Sequence, residues 1–414
     1  MTESLWRSRT FLLLWSGQTA GDVGAQVATI AVPLLAATVL HASVFEVSLL
    51  TLFAWAPYLI ISLPAGVLAD RVDRRRLMIA CDLGRAVLMT SVPVVALVAH
   101  LTLIYLYAVV TLTGILTVLF TVAYRTELPR LVSAAKLVDA NAKVTMSGHF
   151  ADLIGPALGG ALIGLVGAAR TFFTNGLTFL ISAATLSLIR EAPHDRARTE
   201  RVPLRAAVRE GLAFIRRDRI LLGILGCTTA ANFFVMATHG IDVIFLTRDL
   251  HASSLQVGLV FSVAAVGGLA AGTVADRLTR KVGTARMIWL SMIVPGPLYL
   301  LIPLARPGWG LLLFGLGFAA FGANTMLYNV AALSYRQRIT PPPLLGRVNA
   351  SFLWICYGAI PLGALFGGTL ASHTSVRSAL VVSVLGMWAA GLFVVFSPLR
   401  TMRDMPAAPS AVRA

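Results

Sequence analysis

The sequence predicts an all-α membrane protein of twelve transmembrane helices, arranged as two pseudo-symmetric halves of six with both termini cytoplasmic. Three observations lead there: apolar blocks of membrane-spanning length, a one-sided placement of basic residues, and an internal repeat.

The chain is 57% hydrophobic and 13% charged, with a mean hydropathy of +0.81. A soluble domain carries about a quarter charged residues to cover its surface. The apolar residues fall in blocks of about 20, which cross a ~30 Å hydrocarbon layer at ~1.5 Å per helical residue. Lipid offers the backbone no hydrogen bonds, so each block satisfies its own as a helix. Spans are expected near 11–38, 45–68, 77–99, 102–123, 142–166, 171–189, 219–246, 255–275, 286–305, 309–331, 348–371 and 378–397.

A net charge of +16 would suit a nucleic-acid binder if it formed a patch. Instead, of 34 Lys and Arg residues, only Arg170, Arg248, Arg306 and Arg377 fall on the side opposite the termini. This is the positive-inside pattern: it orients the chain, brings basic residues near lipid headgroups, and implies no nucleic-acid partner. The apolar stretch from Leu12 to Leu40 is too long for a cleavable signal and has no clear cleavage site.

The chain repeats itself at an offset of about 208 residues. Leu40, His41, Ala42 and Ser43 return as Leu250, His251, Ala252 and Ser253; Gly66, Asp70 and Arg71 return as Gly272, Asp276 and Arg277. Asn141 and Ala142 return as Asn349 and Ala350, and Gly155, Gly159 and Gly160 as Gly363, Gly367 and Gly368. Six spans per copy is even, so the copies run in the same direction, one of the known plans of membrane transporters. The expected organisation is a six-helix bundle over 1–190, a linker over 191–218, a second bundle over 219–398 and a disordered tail over 399–414. Within the linker, Leu204, Val208, Leu212 and Ile215 share one helical face, so an amphipathic helix along the membrane surface is expected.

Taken in order, the spans offer these polar residues. Span one places Gln18, Asp22 and Gln26 on one face at spacing i, i+4, i+8, beside small Gly17, Gly21 and Ala25. A carboxylate in mid-membrane costs several kcal/mol, so Asp22 reads as a proton or substrate carrier; an interhelical polar contact is the alternative. Span three opens with Asp82 and Arg85, which with Asp70 would form a charge network at the inner end. Span four has no basic residue between Leu101 and Tyr124 but carries Tyr105, Tyr107, Thr111, Thr113, Thr117 and Thr121.

Span five pairs His149 with Asp152 on one helix face, able to exchange protons, hold a cationic solute or make a buried contact. Gly155, Pro156, Gly159 and Gly160 follow, suited to a bend and to close helix packing. Span seven puts Asn232 at the depth of Asp22, with His239 and Asp242 near its outer end as a gate or a solvated pair. Span ten carries Asn324, Tyr328 and Asn329. Cys81, Cys227 and Cys356 fall inside separate spans and read as buried small side chains, with no metal site and no cofactor expected.

Gly66 to Arg75 resembles the signature loop between spans two and three of the major facilitator superfamily, and its second copy runs from Gly272 to Lys281. Asp73 stands where that pattern has glycine. Within the superfamily the chain resembles the bacterial macrolide-efflux and enterobactin-exporter type. Leu128 to Val132 with Ala140 to Ala142, Arg209 to Asp218, and Leu345 to Asn349 carry that likeness. The resemblance implies a gating role for Asp70, Arg71, Arg74 and Arg75, extended to Asp276 and Arg277, with Asp82 and Arg85 adjoining. It also implies a plasma-membrane secondary exporter of a lipophilic drug-like compound, metabolite or siderophore, working by alternating access and exchanging its solute for protons. An importer or lysolipid flippase of the same fold is the alternative. No Gly-rich loop ending in Gly-Lys-Ser/Thr is present, so an ion gradient or the solute's own gradient is the expected energy source. An intramembrane enzyme would need a clustered nucleophile or metal set, and a sensor a sizeable soluble domain; the sequence offers neither. A monomer is the expected working unit.

Overall fold

The computed structural model describes residues 5–133, 136–189 and 204–405; for residues 62–64, 66, 67, 69–71, 204–208, 342 and 343 it describes the backbone alone. The linker from 191 to 203 and the tail from 406 lie outside the described residues.

Among the described residues every regular element is helical. The first half supplies α1 (Arg9–Thr38), α2 (Val44–Arg71), α3 (Arg74–Val98), α4 (Leu103–Leu131), α5 (Leu137–Val166) and α6 (Ala168–Ser187). The helix α7 (Leu204–Arg217) follows, then α8 (Arg219–Ile244) and α9 (Ser254–Val282). The remainder comprises α10 (Thr284–Ile293), α11 (Leu301–Leu304), α12 (Gly310–Ile339), α13 (Pro342–His373), α14 (Val376–Ala389) and α15 (Leu392–Val395). Eleven helical stretches among the described residues are long and apolar enough to cross a membrane, α10 with α11 and α14 with α15 each counting as one. The expected sixth span falls on α6, whose 20 residues match the others in length while Arg170, Thr171, Thr174 and Asn175 make it less apolar.

The repeated tetrapeptide folds the same way twice. His41 and His251 both sit in the left-handed region, at φ 50° and 54°, a conformation that stops the preceding helix. Ser43 then caps α2 in a reciprocal box with Glu46: the Ser43 N–H donates to Glu46 Oε2 at 2.7 Å and the Glu46 N–H to Ser43 Oγ at 3.3 Å. Ser253 and Gln256 repeat the exchange at the start of α9, at 2.8 and 3.3 Å. A four-residue sequence match therefore encodes a whole helix–turn–helix corner.

Contacts divide the chain into two units, Met1–Thr199 with Leu246–Ser262, and Glu200–Phe245 with Val263–Ala414. In the first, α1 packs on α5 and α6, α3 on α4 and α6, and α2 on α4. Phe11, Leu14, Met78, Cys81, Phe120, Ala123 and Leu186 form its buried centre. The π-helical turn Phe245–Asp249 is tied to the end of α1 by Arg248, whose Nη2 donates to the Ala37 and Ala42 carbonyls at 3.2 and 2.7 Å. That guanidinium satisfies an orphan carbonyl of the last turn of α1. In the second unit α8 packs on α13 and α14, and α10 on α12. The helix α7 packs on α13. A β-carbon at Gly211 would strike Ser351 and the Arg347 backbone, Ile215 is fully buried, and Glu210 pairs with Arg347. At Gly211 and Ile215, α7 is thus turned to protein.

The repeated glycines explain themselves in these packings. A β-carbon at Gly155 would strike the Gln26 side chain, and one at Gly159 would press on the Val27 backbone, so α5 approaches α1 closely. In the other repeat, Gly363 and Gly367 lie against the carbonyls of Phe233 and Ala237, bringing α13 onto α8. Gly160 meets Ser254 and Gly258 of α9 instead.

Candidate functional site

The close approach of α5 to α1 in the first unit leaves a cavity of about 310 Å³ lined by Asp22, Ala25, Gln26, Thr145, Gly148, His149 and Asp152. Two pairs that the sequence offered separately, Asp22 with its glutamines and His149 with Asp152, are therefore one site. Gln18 Nε2 donates to Asp22 Oδ1 at 2.8 Å from one turn below. Gln26 Nε2 crosses from α1 to α5 and donates to Asp152 Oδ1 at 2.5 Å, and His149 Nδ1 lies 3.5 Å from Asp152 Oδ2. Each carboxylate thus holds one amide donor and keeps an oxygen for the cavity or, at Asp152, for the imidazole. Gly155 belongs to the site as well, because its missing side chain is what lets Gln26 sit against α5.

Chemically, this is a pair of carboxylates and an imidazole around a small polar space on two apolar helices. Asp22 is half-buried, and the side chains of His149 and Asp152 are 54% and 48% exposed; on membrane-spanning helices such carboxylates bind protons or cations in preference to standing bare. Amide donors steady each carboxylate without neutralising it, so the groups remain free to change charge.

Behind the cavity the first unit buries a second set of charges. Asp82 and Arg85 form an ion pair, with the aspartate fully buried and the arginine 5% exposed. The guanidinium lies between the rings of Phe120 and Phe179, 4.4 and 4.3 Å from their centroids, and reaches Thr117 Oγ1 at 3.5 Å. Aromatic faces on both sides offset part of the cost of burying a cation. The sequence placed this pair in an inner-end network with Asp70; that aspartate, with Gly66 and Arg71, has its side chain outside the described residues. Arg75 does something else: its Nε and Nη2 donate to the Leu186 and Ser187 carbonyls, at 2.8 and 2.5 Å, and so cap α6. Asp276 pairs with Arg280 at an exposed position, and Arg277 is exposed beside it. Gly272 lies near Met326.

Asn232 and Asn324 lie in the second unit and take no part in this cavity. Asn232 Nδ2 donates to the Cys356 carbonyl at 3.4 Å, and Asn324 is buried at 4% exposure. Asp242 is buried too, at 2%, where the sequence suggested a solvated pair or gate. Several polar groups of α4 turn to their own backbone or to neighbours, while Thr113 Oγ1 is buried with no hydrogen-bond partner among the described residues. Thr111, Thr117 and Thr121 donate to the carbonyls four residues back, and Tyr107 donates to the Glu46 carbonyl at 3.0 Å. The aromatic sandwich on Arg85 is what sequence reasoning missed, since Phe120 and Phe179 sit far along the chain in unremarkable apolar stretches.

Comparison with known proteins follows the same line. The family described as transmembrane secretion effectors matches residues 3–413. The multidrug efflux pump Tap of Mycolicibacterium fortuitum is 25% identical, over 97% of this chain and 99% of its own. The enterobactin exporter EntS of Citrobacter koseri is 26% identical, over 92% and 90%. Among solved structures, the nucleoside transporter NupG, as its D323A mutant, aligns with a TM-score of 0.76 at 12% identity, covering 93% of this chain and 99% of that one. A likeness at that identity shows a shared fold.

Proposed function

The chain belongs to the transmembrane secretion effector family of major facilitator transporters, and on that premise we propose that it exports a lipophilic small molecule in exchange for protons. It is a multi-pass membrane transporter of small molecules; direction, coupling ion and solute class are the proposed part. The observation that carries the reading is the cavity between α1 and α5, where Asp22 and Asp152 face one space with His149 and Gln26, and Gln18 donates to Asp22 from the turn below. In this reading the carboxylates take up protons in one conformation and release them in the other. Cationic or amphipathic solute then competes with protons for the same charge, which couples the two fluxes. Efflux named for Tap and EntS supports export over import.

The remaining elements follow from the same reading. The two repeats act as the moving halves of an alternating-access device in the plasma membrane, termini in the cytoplasm, with one chain sufficient for transport. Asp82 and Arg85 then hold the first bundle rigid beside the cavity, and the Asp70 and Asp276 loops bias the conformational exchange.

Inverted vesicles containing the chain and an acidified lumen test the proposal against a panel of lipophilic drugs and siderophores. Alkalinisation on adding one compound, abolished by Asp22→Asn or Asp152→Asn at equal expression, is the expected result. Solute flux that persists with both carboxylates removed would overturn the proton-exchange reading. Accumulation in the opposite direction, or flipping of a lysolipid, would overturn export.

A further inference from the structure

The two repeats differ at one corner in a way that points to a ligand. In the first unit Arg75 closes the inner end of α3 against α6 by donating to the Leu186 and Ser187 carbonyls. The matching residue of the signature copy is Lys281, in the last turn of α9 where Arg75 stands in the first turn of α3. It lines instead a cavity of about 480 Å³ with Val282, Arg286, Trp289, Leu290 and Arg400.

Three cations converge there with no acidic residue in the lining, and among the described residues none of the three has an acidic partner. The nearby carboxylates are engaged elsewhere. Asp404 accepts from Thr284 N–H at 3.0 Å and from Thr284 Oγ1 at 3.4 Å, and Asp276 pairs with Arg280. Three exposed like charges around one cavity favour an anion there. The rest of the lining is apolar, and the Trp289 indole N–H is buried with no hydrogen-bond partner.

The place in the fold decides which anion. The cavity lies where two membrane-spanning helices end, at the turn Gly283 between α9 and α10, which is the depth of phospholipid headgroups. The same helices expose Val274, Leu278 and Val294 beyond it, surface suited to acyl chains. We propose that this pocket is a site for an anionic phospholipid, its phosphate held by Arg286, Arg400 and Lys281 and its glycerol against Trp289 and Leu290.

The test uses the full chain purified in detergent, with thermal unfolding followed on adding phosphatidylglycerol, phosphatidylcholine or soluble glycerol phosphate. Phosphatidylglycerol is expected to raise the midpoint about 3 °C or more above phosphatidylcholine, and glycerol phosphate to leave it unchanged. The double variant Arg286→Gln/Arg400→Gln should lose that preference, while Arg286→Lys/Arg400→Lys should keep most of it. Arg216→Gln/Arg217→Gln, which removes two cations from the end of α7, should leave it intact. Equal response to the two lipids in the unmodified chain overturns the proposal even if a variant fails to fold. So does a preference that survives the glutamine pair, or one lost equally from the α7 variant. A response to glycerol phosphate matching that to phosphatidylglycerol assigns the pocket to a soluble anion instead.

Discussion

Helices α1 and α8 hold the same place in the two repeats, and their partners α5 and α13 reach them through matching glycines. What faces across those contacts differs. On α1, Gln26 spans to Asp152 and Asp22 faces the cavity; on α8, Asn232 at the matching depth donates to the Cys356 backbone at 3.4 Å. Backbone approach tolerates little variation, because an added β-carbon meets a neighbouring main chain. A polar side chain on such a scaffold can change without disturbing the packing. The lesson is that features shared by both repeats mark architecture, and features present in one mark candidate chemistry.

The hardest break to that comparison lies in the charges. Arg85→Ala should destabilise the chain by about 3–5 kcal/mol, because it strands Asp82 in the interior without its partner. Arg280→Ala, which opens the exposed pair with Asp276, should leave the unfolding midpoint unchanged within error. Unfolding of the two purified variants in parallel measures the contrast directly.

Next come the shared glycines. Gly363→Ala drives a methyl into the Phe233 carbonyl and should cost about 1–3 kcal/mol. Gly155→Ala meets the Gln26 Cβ, an atom fixed to the backbone of α1, so its stability loss should be similar and should come with a loss of transport. If both variants lose stability equally and Gly155→Ala exports normally, the Gln26 to Asp152 link is packing alone.

For the unshared chemistry, Asp22→Asn should lower proton-coupled export at least tenfold, worth about 1.4 kcal/mol, with folding intact. Asn232→Asp should not restore it, since that side chain faces α13 and not the cavity. Vesicle pH measurements on the single and double variants decide this.

The smallest effect is expected at the corner that Arg75 fills. Arg75→Gln removes two bonds to the end of α6 and should cost about 1 kcal/mol. Lys281→Gln, at the matching position, should leave the lipid-free chain as stable as before. Chemical or thermal unfolding of each, without added phospholipid, makes the comparison.

Much of the fold was legible in the chain order. Apolar block lengths located the helices, closely at Arg9–Thr38 against the expected 11–38, but α4, α9 and α12 run on to Leu131, Val282 and Ile339, past the expected ends at 123, 275 and 331, because their last turns are polar. The repeated Leu-His-Ala-Ser marked two corners that fold alike down to the reciprocal serine cap. The candidate site was legible only in pieces, since spacing along one helix places Gln18, Asp22 and Gln26 on one face but cannot say which helix lies opposite. The same limit hid the rings around Arg85.

The sequence by itself determined that the chain is a helical membrane protein built from a repeated unit, because hydrophobicity and hydrogen-bond closure act locally and are written residue by residue. Only the tertiary structure decided that Asp22 and Asp152 share a cavity, that Asp82 and Arg85 lie buried with the guanidinium against two aromatic rings, and that Lys281 borders an open basic pocket where Arg75 closes its own. Those outcomes depend on which helix faces meet. That is settled by many weak packing contacts between residues far apart in the chain, and no single stretch of sequence records them.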